Sequence, residues 1–362
     1  MNFEFSEDQM VLRDHSRRFL SEACTFDNLR KLIDSDALFD QGLWQQMVEL
    51  GWTAITIPED FGGMGLGALE LCVLAEEAGR VLAPVPFFST ICVGAEVLKH
   101  SDSPIKAELL GKVAVGEAII AADLRATGIS VAGGKASGSI AALAWVEVAN
   151  YAIVSADAGG KPAVVAIDLT QPGVACTSVE HQFDELIPVG SLSVKDVAVS
   201  VLAEGDAATQ LIEKVINQAA VLTAFEQIGA ADVACTMGRD YVMDRYAFGR
   251  PLASYQAVKH NLANVMVKIE LARSNAYFGA WAMNEQAPEL PLAAAVARVS
   301  ATEAFNFAAE ENLQVHGGIG YTWEANCHFF YKRARVLAAS LGNFGEWCER
   351  LLAAAPTSSH AA

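Results

Sequence analysis

Two stretches of this 362-residue chain combine residue types that can grip an anion. The first is Arg245-Tyr246-Ala247-Phe248-Gly249-Arg250-Pro251-Leu252, followed by Tyr255-Gln256. A guanidinium binds phosphate oxygens in pairs, while Phe248 and Gln256 offer a ring and an amide to a nucleotide. Arg245 has an equally good reading as a cation at a helix C-terminus, bonding the last carbonyls. The second stretch is Gln314-Val315-His316-Gly317-Gly318-Ile319-Gly320-Tyr321. Its glycines let backbone N–H groups come close to negative charge, and they equally suit a helix that ends on glycine. Glu226 is a third candidate, a carboxylate in a run with Val221, Leu222, Phe225 and Ile228. Burial there is costly unless the group is paired with a neighbour or used as an acid or base.

Helices must position these groups. A 3.6-residue pattern over about 210–244, 254–284, 290–315 and 322–352 puts Glu226 inside the first helix and Arg245 at its end. Gln314 then closes the third, with Pro251, Pro288 and the Gly317-Gly318 pair as punctuation. The first 118 residues are also helical. Ser6 reads as an N-cap with Gln9 three residues on, and one helix over 43–50 stops at Gly51. Another, over 68–81, carries Glu70, Glu76 and Glu77 on its expected wet face. Between these two, four glycines within residues 62–67 exclude regular structure. Residues 119–205 differ, with β-rich runs at 151–155, 163–167 and 192–199 between Gly/Pro/Asp turns. That spacing predicts antiparallel strands in a small sandwich or barrel. The chain is therefore expected to be α+β: a helical domain (1–118), a β domain (119–205), a helical bundle (206–354) and a frayed tail (355–362). No GxGxxG lies between a strand and a helix, which argues against a dinucleotide-binding βαβ unit.

Composition narrows the function classes. With 43 acidic and 25 basic side chains the net charge is −18, the wrong sign for binding nucleic-acid backbones. A 52% hydrophobic, 19% charged chain is not disordered. No window of 18 uncharged apolar residues offers a membrane span, and the N-terminus has no leader pattern, so a cytoplasmic protein is expected. Seven cysteines without a CxxC pair read as reduced thiols, and scattered histidines give no metal spacing.

The motifs resemble those of the acyl-CoA dehydrogenase family. FxFSxxQxxLRDxxRxFL stands at residues 3–20, LWxxMxELGW then IPExFGGxGLG at 43–67, RxxFGxxLxxxQ at 245–256 and QxxGGxGYxxE at 314–324. The resemblance covers residues 3–352 and implies an N-terminal helical domain, a central β domain and a C-terminal four-helix bundle. It also implies FAD as cofactor and an acyl-CoA thioester as substrate, with electron-transfer flavoprotein as electron acceptor. A glutamate removes the α-proton, and flavin N5 takes the β-hydride. By the motif match, Arg245, Phe248, Leu252, Gln256, Gln314, Gly317 and Gly318 are residues for the adenine and pyrophosphate side of a neighbouring subunit's FAD.

The chain departs from the family where the chemistry is done. Counting from Gln314, the common position of the base is Leu341; counting back from Arg245, the alternative position is Ala219. Neither can take a proton. The family's Thr-Glu-Pro and Trp-x-Thr-Asn segments, which hold the flavin ring, correspond here to Ala122-Asp123-Leu124 and Ala142-Leu143-Ala144-Trp145. The family includes bacterial α2β2 heterotetramers, some acting on bulky CoA esters such as steroid side chains. In these, one subunit brings the base and flavin shelf, and the other completes FAD binding. The resemblance implies the second kind of subunit. Two alternatives are an active homo-oligomer with Glu226 as relocated base, and a non-enzymatic assembly module.

Overall fold

Ser6 and Gln9 open the first helix as expected. Ser6 Oγ accepts from the Gln9 N–H (3.2 Å), and the Ser6 N–H donates to Gln9 Oε1 (2.9 Å). The computed structural model describes residues 6–180 and 182–355. Phe3 and Phe5 of the first motif, and tail residues 356–362, lie outside the described residues. Packing divides the chain into two compact units whose boundaries cut through three helices. One is Leu12–Leu74 with Ala83–Ala219, and the other is Met1–Val11, Ala75–Leu82 and Ala220–Ala362. Among the described residues, no helix is long and apolar enough to cross a membrane, and no group of three metal-ligating side chains occurs.

The first unit holds most of α1 (Glu7–Ala23), then α2 (Phe26–Ile33), α3 (Gln41–Glu49) and the start of α4 (Ala68–Arg80). Residues 57–67 are not wholly irregular, because Glu59–Phe61 form one 3-10 turn closed by Gly62 at φ +79°. A π-helix, Phe88–Ala95, runs into α5 (Glu96–Lys99), and α6 (Lys106–Ala114) follows. The strands are β1 (Ile120–Asp123), β2 (Ile129–Ala132), β3 (Lys135–Ala144), β4 (Tyr151–Asp157), β5 (Pro162–Asp168), β6 (Val174–Ser178) and β7 (Val189–Glu204).

Strands β4, β2, β3, β7 and β5 pair in a closed ring, with β1 added to β4 and β6 to β7. Closure around Ile140, Leu143, Val154, Val165, Ile167 and Leu192 is the barrel alternative of the expectation. The all-antiparallel expectation needs correction, since β1–β4 and β2–β4 are parallel. The β2–β3 hairpin intervenes between β1 and β4 and returns the chain in its original direction. The outer edge of β1 is closed by hydroxyls of the π-helix. Ser89 Oγ donates to Ile120 O and accepts from the Ala122 N–H, and Thr90 Oγ1 accepts from the Ile120 N–H.

A histidine at the end of α5 makes this unit sensitive to acid. His100 lies between Glu96 (3.9 Å) and Lys214 (3.4 Å), with Lys99 and Lys106 nearby. Burial first, then Lys214, lowers its pKa from 6.5, and Glu96 opposes them. A lowered folded-state pKa favours folding fully above pH 6.5, and the contribution is lost as pH falls through the folded value. Thermal midpoints are therefore expected to drop from neutral pH towards about pH 5, and His100→Gln should flatten the profile. An identical slope in the variant would remove His100 as the cause.

The second unit comprises the rest of α4, the part of α7 (Asp206–Asp244) from Ala220 onward, α8 (Gln256–Asn284), α9 (Leu290–His316), α10 (Cys327–Ala339) and α11 (Phe344–Ala354). In it α4 and α7 touch backbone to backbone. A Cβ added to Gly79 would strike the Glu226 carbonyl, and one added to Gly229 would strike that of Glu76.

The wet face expected for α4 is wrong at two positions. Glu76 is 5% and Glu77 1% exposed. Glu76 accepts from Arg273 of α8 (2.6 Å), Asp232 of α7 binds both Arg273 (2.7 Å) and Arg80 (3.0 Å), and Glu77 lies 3.7 Å from Arg80. Burial works against the Arg273 charge, and the Glu76 and Asp232 carboxylates more than restore it. Charged residues at helical spacing suggested solvent, but the partner of Glu76 lies far along the chain.

The expected helix over 322–352 is also corrected. A 3-10 segment, Gly317–Tyr321, precedes α10, and the chain reverses between α10 and α11 at residues 340–343. Gly342 (φ +105°) breaks the run, and Asn343 restarts it with a capping box to Glu346.

Candidate functional site

Helix α7 stops at Asp244, and Arg245 stays in its last turn, donating its N–H to Tyr241 O (2.9 Å). A small hairpin follows rather than an immediate new helix, with β8 (Tyr246–Ala247) paired to β9 (Arg250–Pro251). Its two tip residues, Phe248 (φ +52°) and Gly249 (φ +80°), both take the positive φ that a tight two-residue hairpin demands. Glycine tolerates this, whereas a phenylalanine there costs roughly 1–2 kcal/mol. The ring is 97% exposed, so no packing offsets that strain within the chain. The hairpin itself is rigid. Tyr255 Oη donates to Ala247 O (2.9 Å), and the Arg250 guanidinium lies over the Tyr255 ring at 3.9 Å. Arg245 and Gln256 are exposed, and Leu252 is half-buried in the turn that leads into α8.

Gln314 is exposed in the last turn of α9, and Gly317 (φ +60°) caps the helix by donating to Gln314 O. The bland reading of this glycine turn is therefore realised, without consuming the exposed faces of Gly317 and Gly318. Gly320 is needed for space, since a Cβ would lie 3.0 Å from Leu313 O and 3.2 Å from Cys327 Sγ. The two motifs meet through residues the sequence reading did not assign to the site. His316 stacks on Tyr241 with centroids 4.0 Å apart, one turn before Arg245, and its Nδ1 lies 2.7 Å from Asn312 O. Tyr241 is four residues before Arg245 on a helix, and that spacing was the only available signal. Met243, Tyr246, Ile319, Tyr321 and Trp323 add exposed apolar surface from the same two segments.

Neither position that the motif count marks out for a base carries a carboxylate. Leu341 sits in the reversal between α10 and α11 at φ +55°, and Ala219 is buried on α7. Glu226, two turns beyond Ala219, lies 3.5 Å from Arg333, a guanidinium 2% exposed. In the β unit, Asp123 ends β1. Burial raises its carboxyl, while the Arg125 and Ala126 N–H groups work the other way. Ala142 and Ala144 place only methyl groups at the end of β3, and Trp145 turns inward at φ +67°. A cleft of about 280 Å³ opens beyond β1 and β4, lined by Thr127, Gly128, Ser155, Asp157 and Lys161. Among the described residues, none of the seven cysteines is in a disulfide.

Comparison with known proteins matches this architecture. Residues 6–117 fit the model of the acyl-CoA dehydrogenase N-terminal domain, and residues 209–345 that of the C-terminal domain. The chain belongs to the acyl-CoA dehydrogenase family. It is 28% identical to acyl-CoA dehydrogenase IpdE2 of Mycobacterium tuberculosis, over 95% of this chain and 96% of that protein. Acyl-CoA dehydrogenase FadE34 of the same organism is 30% identical over 84% of this chain and 40% of that protein. Among solved structures, a variant of the Tcur3481–Tcur3483 steroid ACAD superposes with a TM-score of 0.86 at 27% identity, covering 96% and 97% of the two chains. The ChsE4–ChsE5 complex from Mycobacterium tuberculosis has the same fold, with a TM-score of 0.89 at 24% identity and coverage of 98% and 100%. Acyl-CoA dehydrogenases are flavoproteins that oxidise a CH–CH bond, and their fold is the helical, β and helical order found here.

Proposed function

We propose that this chain serves FAD-dependent α,β-dehydrogenation of an acyl-CoA thioester as the subunit that completes FAD binding and brings no base. The observation that carries the reading is Leu341, an inert side chain in a fully built turn at the family's base position. The fit to FAD is asymmetric. On the adenine side, Arg245, Phe248, Gln256 and Gln314 present unspent guanidinium, ring and amide groups to solvent beside the Gly317-Gly318 turn. On the flavin side, Ala122, Ala142 and Ala144 offer no side chain to hold a ring. When bound, FAD supplies a hydride acceptor. This chain's part is to clamp its diphosphate through Arg245 and cover its adenine with Phe248.

The apolar surface around the two motifs supports a neighbouring subunit as the owner of that FAD. Heteromeric relatives support a homologous chain in that role, and a steroid relative supports a bulky acyl group. Electron-transfer flavoprotein is the proposed electron acceptor. The pairing of Glu226 with buried Arg333 supports a structural carboxylate rather than a relocated base.

The test is reconstitution. The isolated chain should retain little FAD and show negligible turnover of any acyl-CoA. Mixing with a homologous subunit that carries the glutamate should raise turnover by about 10²–10⁴-fold, the usual worth of a positioned base. FAD should then count one for each pair of chains. Arg245→Ala should weaken FAD retention by the complex about 10–100-fold, the range for a lost charge-assisted bond. Robust turnover by the isolated chain would sink the proposal.

A further inference from the structure

Arg298 of α9 is 1% exposed, and no carboxylate bonds to its guanidinium. Burial lowers its pKa to about 10, partly opposed by the Glu226 charge. Such a group is expensive to bury, so its hydrogen bonds show what it is kept for. Nη1 donates to Gln227 Oε1 of α7 (2.8 Å) and Thr302 Oγ1 of its own helix (2.8 Å). Nη2 donates to Leu337 O, to Ser340 O (2.8 Å) and, more weakly, to Ser340 Oγ (3.5 Å). Leu337 and Ser340 close α10, where the last carbonyls have no partner within the helix. One guanidinium nitrogen serves both carbonyls while the other holds Gln227 and Thr302, and an ammonium has a single nitrogen for both tasks.

The turn is gripped from its other side as well. Trp347 Nε1 of α11 donates to Leu341 O (3.1 Å), and Asn343 locks the start of that helix. Between these grips Leu341 is held at φ +55°, a conformation that a leucine does not adopt unaided.

We propose that Arg298 is a positioning residue that fixes the turn at residues 340–343, and with it the place where this family carries its base. It acts through the backbone of that turn and touches no reacting atom. This rests on the reading of Leu341 under the proposed function: the turn that would present a base is held by Arg298 and Trp347, although its side chain is inert.

Amide hydrogen exchange on the full-length chain tests this with R298K and R298M. Exchange across residues 337–343 should rise about tenfold or more in R298M, while amides in the middle of α7, α8 and α9 keep their protection. R298K should recover part of the local protection, since one ammonium can serve one carbonyl. A uniform rise through all the helices, or no change at 337–343, would overturn the proposal in favour of an ordinary buried residue. Should R298M not fold, the local pattern in R298K decides, and failure of both to fold also counts against positioning.

Discussion

Gly229→Ala is expected to cost at least about 3 kcal/mol, the upper range for overpacking, because the obstacle is a backbone carbonyl that cannot rotate away. At Gly229 an added Cβ meets Glu76 O, and at Gly79 it meets Glu226 O, so the two glycines face each other's helices reciprocally. Relief would require parting α4 from α7. That would pull Arg80 of α4 from Asp232 of α7, a bond of 3.0 Å, and disturb the Arg273 guanidinium that joins Glu76 of α4 to Asp232 at 2.6 and 2.7 Å. For a unit of this size the single change corresponds to a thermal midpoint lower by about 6–12 °C. Combined with Gly79→Ala, the loss approaches the whole stability of a typical domain. Calorimetry and limited proteolysis of both variants are the measurements. A shift of less than about 2 °C for Gly229→Ala would show that the helices separate at little cost.

Glu226→Gln is expected to destabilise by about 3 kcal/mol while leaving turnover per folded, reconstituted complex unchanged. Arg333 is 2% exposed, and removing the opposing charge leaves a guanidinium in an interior that solvates it poorly. The double variant with Arg333→Met should recover much of the loss, because replacing both members of a buried pair by neutral groups is far milder than removing one. A coupling energy near zero in that cycle would deny the pair. Loss of turnover with stability and FAD intact would instead make Glu226 the base and restore the homo-oligomer reading.

Local signals made much of this molecule legible in advance. Helix lengths followed from apolar period and glycine stops, and the strands at 151–155 and 163–167 from β-branched runs between turns. What escaped was set by partners distant in sequence. Glu76 sits on a helix that looked half-wet, and its partner Arg273 lies nearly two hundred residues on. The parallel pairings of β4 depend on where an intervening hairpin sends the chain, which no window of residues encodes. The break at residues 340–343 was signalled by Gly342-Asn343 but outweighed by apolar period on both sides. For the candidate site, residue types put forward Arg245 and Phe248 and the motif match Gln314, whereas the His316–Tyr241 stack that unites the two motifs had no signature beyond helical spacing.

The hairpin tip bears on how the protein must be made. A phenylalanine displayed to water in a conformation it disfavours is an adhesive spot until something covers it. If a second chain covers it, as proposed above, ribosomes that release this chain the faster would leave a growing pool of tacky orphans, prey to clumping and degradation. On the proposed pairing, cells overproducing this chain alone are expected to hold more of it in the insoluble fraction than cells that make both chains.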